Sequence, residues 1–278
     1  MNVFSPRGLL AVDLDGTLVR ADGVVDPRDR DALASARRRG VCVTLATGRL
    51  APTTVAIARE LDLEAPLICA DGAALVCPQR GLVLARRSLG LCAVGALLAS
   101  IASAGLAPFV CFAEEIVGGL SIAPLAPWLL GYAPSVASSS RLADLAVERA
   151  DEVVMLLGLG PRERVEVVRP ASLPGIAITS FGLGHDGPWA LRALRHDAGK
   201  GAALARLAAR LGVPRERVAA VGDWYNDISM LAWAGRSFAM GGSPPSVQRA
   251  AGATLGAPAG CGGGVAEAVE RWLDLDEA

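Results

Sequence analysis

The sequence predicts an α/β protein, a parallel sheet with helices on both faces, interrupted by an inserted domain. Three observations carry that expectation. Short apolar runs stop abruptly on polar motifs, as strands buried on both faces do. Amphipathic helical stretches separate these runs, which is the alternation that builds parallel sheets. The pattern stops near residue 76 and resumes near residue 194, with a stretch of different character between.

The elements follow in order. Residues 8–14 (GLLAVDL) form a buried strand bounded by a glycine and an acidic turn. A helix comes next. Asp26 is its N-cap, Pro27 its first residue, and Asp29 lies in the first turn; Arg37, Arg38 and Arg39 load the last turn, with Gly40 just beyond. VCVTLA (41–46) is a second strand, 52–61 a helix and PLICA (66–70) a third strand. After the interruption, 199–212 is a helix with Leu204, Leu207 and Leu211 on one face. VAAVGD (218–223) is a strand ending on an acid, 227–235 a short helix, FAMGG (238–242) a strand and 265–273 a closing helix. The expected core is therefore 1–76 plus 194–278, with 77–193 inserted.

Composition narrows the function classes. At ~150 residues per domain, 278 residues suggest about two domains. Apolar residues at 52% can bury a sizeable core, and charged residues at 20% are too many for a polytopic membrane protein. A net charge of −1 gives no electrostatic reason to expect nucleic acid or an anionic membrane as partner. The six cysteines are scattered with no CxxC pair, which speaks against a disulfide scaffold or zinc ribbon. No basic segment leads into a long apolar stretch at the N-terminus, so no signal peptide is expected and a cytoplasmic location is the default. Residues 88–113 carry no charge and are long enough to span a bilayer. Gly105 and Pro108 divide them, however, so a helix to about Ser103 followed by the strand PFVCF is expected instead.

Four motifs carry chemistry. Asp13-Leu14-Asp15-Gly16-Thr17-Leu18 directly follows a buried strand, where α/β sheets bind ligands. Two carboxylates spaced in this way can act as nucleophile and as acid and base, and free amides beside Gly16 can receive a phosphate. The competing reading is a plain surface turn, in which Asp-Gly is common. Thr47-Gly48-Arg49 also ends a strand; its hydroxyl and amides suit a phosphoryl oxygen, or it is simply a loop. Lys200 is the one lysine among 27 basic residues and opens a helix. An ammonium is a compact point charge and a guanidinium a planar fork, so a site that keeps Lys in an Arg-rich chain can be one that Arg does not fit. In Gly222-Asp223-Trp224-Tyr225-Asn226-Asp227, two acids and an amide suit a hard cation such as Mg²⁺, or supply an N-cap.

Taken in order, DLDGTL, TGR, the KG-initiated helix and GDxxND make the chain resemble the haloacid dehalogenase-like hydrolase superfamily, and GDWYNDISML its Cof-like, type IIB branch. The resemblance implies a Rossmann-like core with an inserted α+β C2-type cap, and a Mg²⁺-dependent phosphatase working through an aspartyl-phosphate. It implies Asp13 as nucleophile, and Asp15 as acid and base. Metal ligands would be Asp13, Asp223 and the Asp15 carbonyl. Gly16, Thr17, Thr47, Gly48 and Lys200 would hold the phosphoryl group, and Asn226 and Asp227 would order the metal waters and Lys200. Asp71-Gly72-Ala73 departs from the family's Asn-Gly-Ala, and Gly241-Gly242-Ser243 from its Gly-Asn, so the parts played by Asp71 and Ser243 stay open. His185, in a Gly-rich turn of the insert, either reaches a substrate or is solvated.

A small phosphorylated metabolite is the expected partner, with sugar phosphates favoured. A specialised sugar phosphatase, such as one acting on mannosyl-3-phosphoglycerate, is an alternative. A non-catalytic phospho-ligand sensor on the same fold would have lost a core residue, yet Asp13, Asp15, Lys200 and Asp223 are all present. A phosphomutase would need a cap between Asp15 and Thr47, where one helix and one strand leave no room.

Overall fold

The computed structural model describes residues 6–168, 173–184 and 186–276. In chain order the first elements are β1 (Gly8–Val12), α1 (Pro27–Arg38), β2 (Val41–Leu45), α2 (Ala51–Glu60), β3 (Leu67–Cys69), β4 (Ala74–Val76) and β5 (Val83–Arg86). The middle of the chain forms α3 (Leu91–Ser103), β6 (Ala107–Cys111), β7 (Ile116–Gly118), β8 (Val136–Ser138), α4 (Leu142–Glu148), β9 (Met155–Gly160), α5 (Arg162–Val167), β10 (Ile176–Gly182) and β11 (Trp189–Arg195). The last part holds α6 (Lys200–Leu211), β12 (Val218–Gly222), α7 (Ile228–Trp233), β13 (Arg236–Gly241), α8 (Pro245–Ala250), β14 (Ala253–Pro258) and α9 (Gly264–Asp276).

The Rossmann-like core is a parallel sheet in the order β14-β13-β12-β1-β2. The interior strand β1, between β12 and β2, is buried along its whole length. Leu10 and Val12 face a cluster with Leu33 of α1, Val55 of α2 and Trp272 of α9. Leu9 and Ala11 face the other side, against Leu204 and Leu207 of α6, Leu231 of α7 and Val247 of α8. The alternation of strand side chains between two faces thus makes both cores out of one apolar run. α1 begins as its sequence signals: Asp26 caps it by accepting from the Arg28 amide at 2.9 Å, and Gly40 follows its end at φ +84°.

Two details differ from the expectation. β3 joins the parallel sheet through one isolated bridge, Ala46 to Ile68, and pairs instead with β4, which pairs in turn with β5, in an antiparallel three-stranded sheet. A tight turn at Ala70–Gly72 reverses the chain directly after Cys69, which leaves no room for a longer parallel partner. β14 closes the edge of the parallel sheet, in a stretch where the sequence predicts no element. Its sequence ATLGAP has no apolar run to announce it, so pairing with β13 and burial of Leu255 create the strand.

The middle of the chain builds a six-stranded sheet, β10-β11-β9-β6-β7-β8, antiparallel except between β7 and β8. One face carries α3, α4 and α5 through Val94, Leu97, Ile101, Leu142, Ala146 and Val165. The other face, with Phe109, Cys111 and Leu157, packs onto Leu50, Ala70, Ala73 and Ala198. Those four residues lie in loops at the carboxyl ends of β2 and β3 and just before α6, so the second sheet roofs the edge of the first where ligands bind in α/β proteins. The uncharged stretch 88–113 divides as expected into α3 and β6, with Gly105 turning at φ +65° between them. Among the described residues, no helix is long and apolar enough to cross a membrane.

Candidate active site

The carboxyl ends of β1, β2 and β12 and the first turn of α6 converge on one buried, charged cluster. Lys200 is 1% exposed. Its Nζ donates to Asp13 Oδ1 and to Asp227 Oδ1, each at 2.6 Å. Asp227 is further held by the backbone amides of Asp223 and Trp224, each donating to its Oδ2 at 3.0 Å. Thr17 Oγ1 donates to Asp223 Oδ1 at 3.0 Å. Backbone makes this convergence possible. Gly16 turns at φ +88°, and a Cβ there would lie 2.4 Å from Asp223 Oδ2. A Cβ on Gly222 would lie 2.6 Å from that of Asp227. Both glycines are required by close approach, beyond conformational freedom.

The electrostatics follow from the crowding. Burial, then the neighbouring Asp227 and Asp223, push the Asp13 carboxyl well above its ordinary range, against the pull of Lys200. Burial and Asp227 push Asp223 up to about 6. Burial works against the Lys200 charge, yet Asp13, Asp227 and Asp71 together raise its pKa and keep it ionised. Three carboxylates against one ammonium leave the cluster short of positive charge.

Carboxylate oxygens of Asp13, Asp223 and Asp227 all lie within 4.8 Å of one another. An all-oxygen set of this kind, with excess negative charge, fits a hard divalent cation. Asp227 is the poorest of the three donors, because one of its oxygens is taken by Lys200 and the other by two amides. The geometry therefore leaves Asp13 and Asp223 as the carboxylates best able to hold a metal.

Other sequence candidates lie around this cluster. Asp15 is exposed and forms a two-pronged ion pair with Arg49: Nε donates to Oδ2 at 2.9 Å and Nη2 to Oδ1. Thr47 is buried, and its Oγ1 accepts from the Arg49 amide at 3.1 Å. Gly48 packs against Asp71 and Tyr132, the ring lying 3.5 Å from where a Cβ would be. Asn226 donates to Asp71 Oδ1 at 2.8 Å and so reaches the neighbouring turn. Ser243 Oγ is buried and meets no hydrogen-bond partner among the described residues. His185 lies outside the described residues.

Asp71 belongs to this neighbourhood. It and Ala70 are consecutive non-glycine residues in the left-handed region, at φ +52° and +50°, a strained turn held by Asp71 N to Thr47 O and Ala70 N to Arg49 O, each 2.9 Å. Its second oxygen accepts from Arg192 Nη1 on β11 of the six-stranded sheet. Burial would raise the Asp71 carboxyl, but Arg192, then Lys200 and Asn226, outweigh it and hold it below the usual range. Sequence reasoning marked Asp71 as a departure but did not find Arg192. The only signal was the need of a buried acid for a cation, and an Arg-rich chain offers many.

Comparisons with known proteins agree with this architecture. The family model for haloacid dehalogenase-like hydrolase matches residues 10–122 and 172–269. The chain is 25% identical over 268 residues to the 5-amino-6-(5-phospho-D-ribitylamino)uracil phosphatase YcsE of Bacillus subtilis, covering 95% of each chain. It is 28% identical over 276 residues to the phosphatase YwpJ of the same organism, covering 86% of this chain and 91% of the relative. A haloacid dehalogenase-like hydrolase from Bacteroides thetaiotaomicron superposes with a TM-score of 0.79 at 26% identity, over 95% of this chain and 99% of that one. The HAD subclass IIB sugar phosphatase BT4131 shares the fold at a TM-score of 0.79 and 22% identity, over 95% of this chain and 98% of that one. Two matched segments that together span most of the sequence, on a fold of the same architecture, establish that the chain belongs to the haloacid dehalogenase-like hydrolase family.

Proposed function

We propose that the protein is a Mg²⁺-dependent phosphatase that hydrolyses phosphate monoesters of small metabolites through an aspartyl-phosphate. The observation that carries the reading is the buried Lys200 shared by Asp13 and Asp227 beside Asp223, at the carboxyl edge of a parallel sheet. Full-length relatives described as phosphatases support the reaction class.

In this mechanism the Asp13 carboxylate attacks phosphorus. Lys200, Thr47 and the amides around Gly16, Thr17 and Gly48 hold the phosphoryl oxygens. The alcohol leaves with a proton from Asp15, which then takes a proton from the water that opens the aspartyl-phosphate. For this Asp15 gives up its ion pair with Arg49, takes a proton from solvent and turns its carboxyl to the leaving oxygen. Lys200 keeps Asp13 oriented, and Asp227, fixed by two amides, keeps Lys200 in place. Asn226 steadies the Asp71 turn. A Mg²⁺ ion held by Asp13 and Asp223, with the Asp15 carbonyl as its third protein ligand, would supply the charge that lets carboxylates and a phosphate come together.

The reading divides the chain into a core of 1–76 and 194–278 and a cap of 77–193. The apolar packing of the six-stranded sheet onto Leu50, Ala70, Ala73 and Ala198 supports a roof that excludes bulk water and macromolecules. The test is phosphate release from a panel of sugar phosphates, nucleotides and phosphorylated cofactors, with Mg²⁺ or with EDTA. Release that depends on Mg²⁺ and is lost in Asp13→Asn is expected. No release from any member by folded protein overturns the reading.

A further inference from the structure

Three aromatic side chains are exposed among the described residues: Trp128 at 41%, Trp224 at 53% and Tyr225 at 56%. All three lie on segments that reach the crevice. Trp224 and Tyr225 stand between Asp223 and Asn226 in the loop that leaves β12. Trp128 is on the segment whose Tyr132 carbonyl accepts from the Leu50 amide at 2.8 Å and whose Tyr132 ring lies against Gly48. Elsewhere the described aromatic side chains are buried or half-buried.

Leaving an indole and a phenol in water forgoes the burial that stabilises most such side chains, so their clustering at one edge calls for a partner. Trp224 and Tyr225 meet edge-to-face, with ring centroids 5.1 Å apart and planes at 74°. Two rings at that angle form a corner. A flat unsaturated ring can stack on one face while its edge meets the other, a π-surface that a sugar ring without a base does not add.

Resting on the phosphatase reading, we propose that Trp224 and Tyr225 form a stacking platform for a planar heteroaromatic ring in the leaving group, so that preferred substrates are phosphate monoesters of ring-bearing alcohols, such as nucleosides, rather than bare sugar phosphates. The phosphoryl group lies at Asp13 and Lys200, and the ring lies outward over the Trp224 loop.

The test compares uridine 5′-monophosphate with ribose 5-phosphate, which differ by the base alone. Stacking one base on an aromatic side chain contributes about 1–3 kcal/mol, so the ratio of kcat/KM for the nucleotide to that for the sugar phosphate is expected to fall about 5- to 150-fold in Trp224→Ala and to fall also in Tyr225→Ala. An unchanged ratio in both variants overturns the platform. A second measurement needs no turnover: uridine 5′-monophosphate is expected to quench tryptophan emission in the wild type and not in Trp224→Phe, and ribose 5-phosphate to quench neither. Equal quenching by the two esters, as closure of the roofing sheet over the aromatic pair would give, overturns the platform, and so does no quenching by either. An inactive wild type whose Trp224 emission responds only to the nucleotide counts against the phosphatase reading while sustaining the platform.

Discussion

Lys200→Met removes the one cation of the buried cluster while keeping side-chain length. The Lys200 side chain is fully buried and makes two 2.6 Å contacts with carboxylates. Without it, Asp13 and Asp227 face each other uncompensated. Two unit charges 4.8 Å apart, the outer limit of the oxygen cluster, repel by about 3.5 kcal/mol at an effective dielectric of 20. That agrees with the ~3–5 kcal/mol typical for removing one partner of a buried ion pair. At 2–4 °C per kcal/mol for a chain of this size class, Tm should fall by roughly 6–20 °C. The measurement is thermal unfolding by circular dichroism in EDTA, repeated with Mg²⁺. The cation should restore part of the loss in the variant, since it brings positive charge to the same carboxylates. Lys200→Arg should also be destabilised, because the planar guanidinium is larger than the slot that encloses the ammonium. A Lys200→Met Tm within 2 °C of wild type in EDTA would refute the argument that this lysine neutralises the cluster.

Further outcomes follow from the same geometry. Gly16→Ala places a Cβ 2.4 Å from Asp223 Oδ2 at φ +88°, so phosphate release should drop on the order of 100-fold, as for an ångström-scale displacement of a reacting group, and retention of full activity would show the turn to be irrelevant. Arg192→Ala leaves Asp71 buried with less compensation and should cost roughly 3 kcal/mol in urea unfolding, most of which Asp71→Asn should recover in the double variant. Asp26, held down to about 2 from an ordinary 3.8 by Arg28 and its amide, stabilises the fold above pH 3.8 and loses that contribution as pH falls through about 2. Acid unfolding of Asp26→Asn followed between pH 5 and 2 should be correspondingly less steep than that of the wild type.

The parts of the fold visible in the sequence were those in which local chemistry and tertiary contact agree. α1 shows its cap, its proline and its terminal glycine in the chain itself, and the structure adds only its partners. Lys200, Asp13 and Asp223 were legible because short motifs at strand ends have one place to go in a parallel sheet. β14 was not, since small residues with two glycine or proline interruptions become a strand only beside β13. Arg49 stood in a quoted motif, but its pairing with Asp15 spans 34 residues and depends on how two loops meet. Arg192 lies 121 residues from Asp71, on a sheet whose placement no local pattern encodes.

Arg87, beside β5, and Asp197, just before α6, lie 3.5 Å apart as an ion pair. The polypeptide therefore leaves the small β3-β4-β5 sheet and re-enters at α6 at nearly the same point. Leu9 pairs with Val218, roughly 210 residues along the chain, and folding of the stretch between Arg87 and Asp197 about halves the length of free chain that this pairing must close. Each halving is worth only about 0.6 kcal/mol, roughly a threefold change in rate. A segment of this size can thus be lengthened, shortened or replaced between those two anchor points at little entropic cost to the sheet. The roof is free to diversify while the strand ends beneath it stay in register.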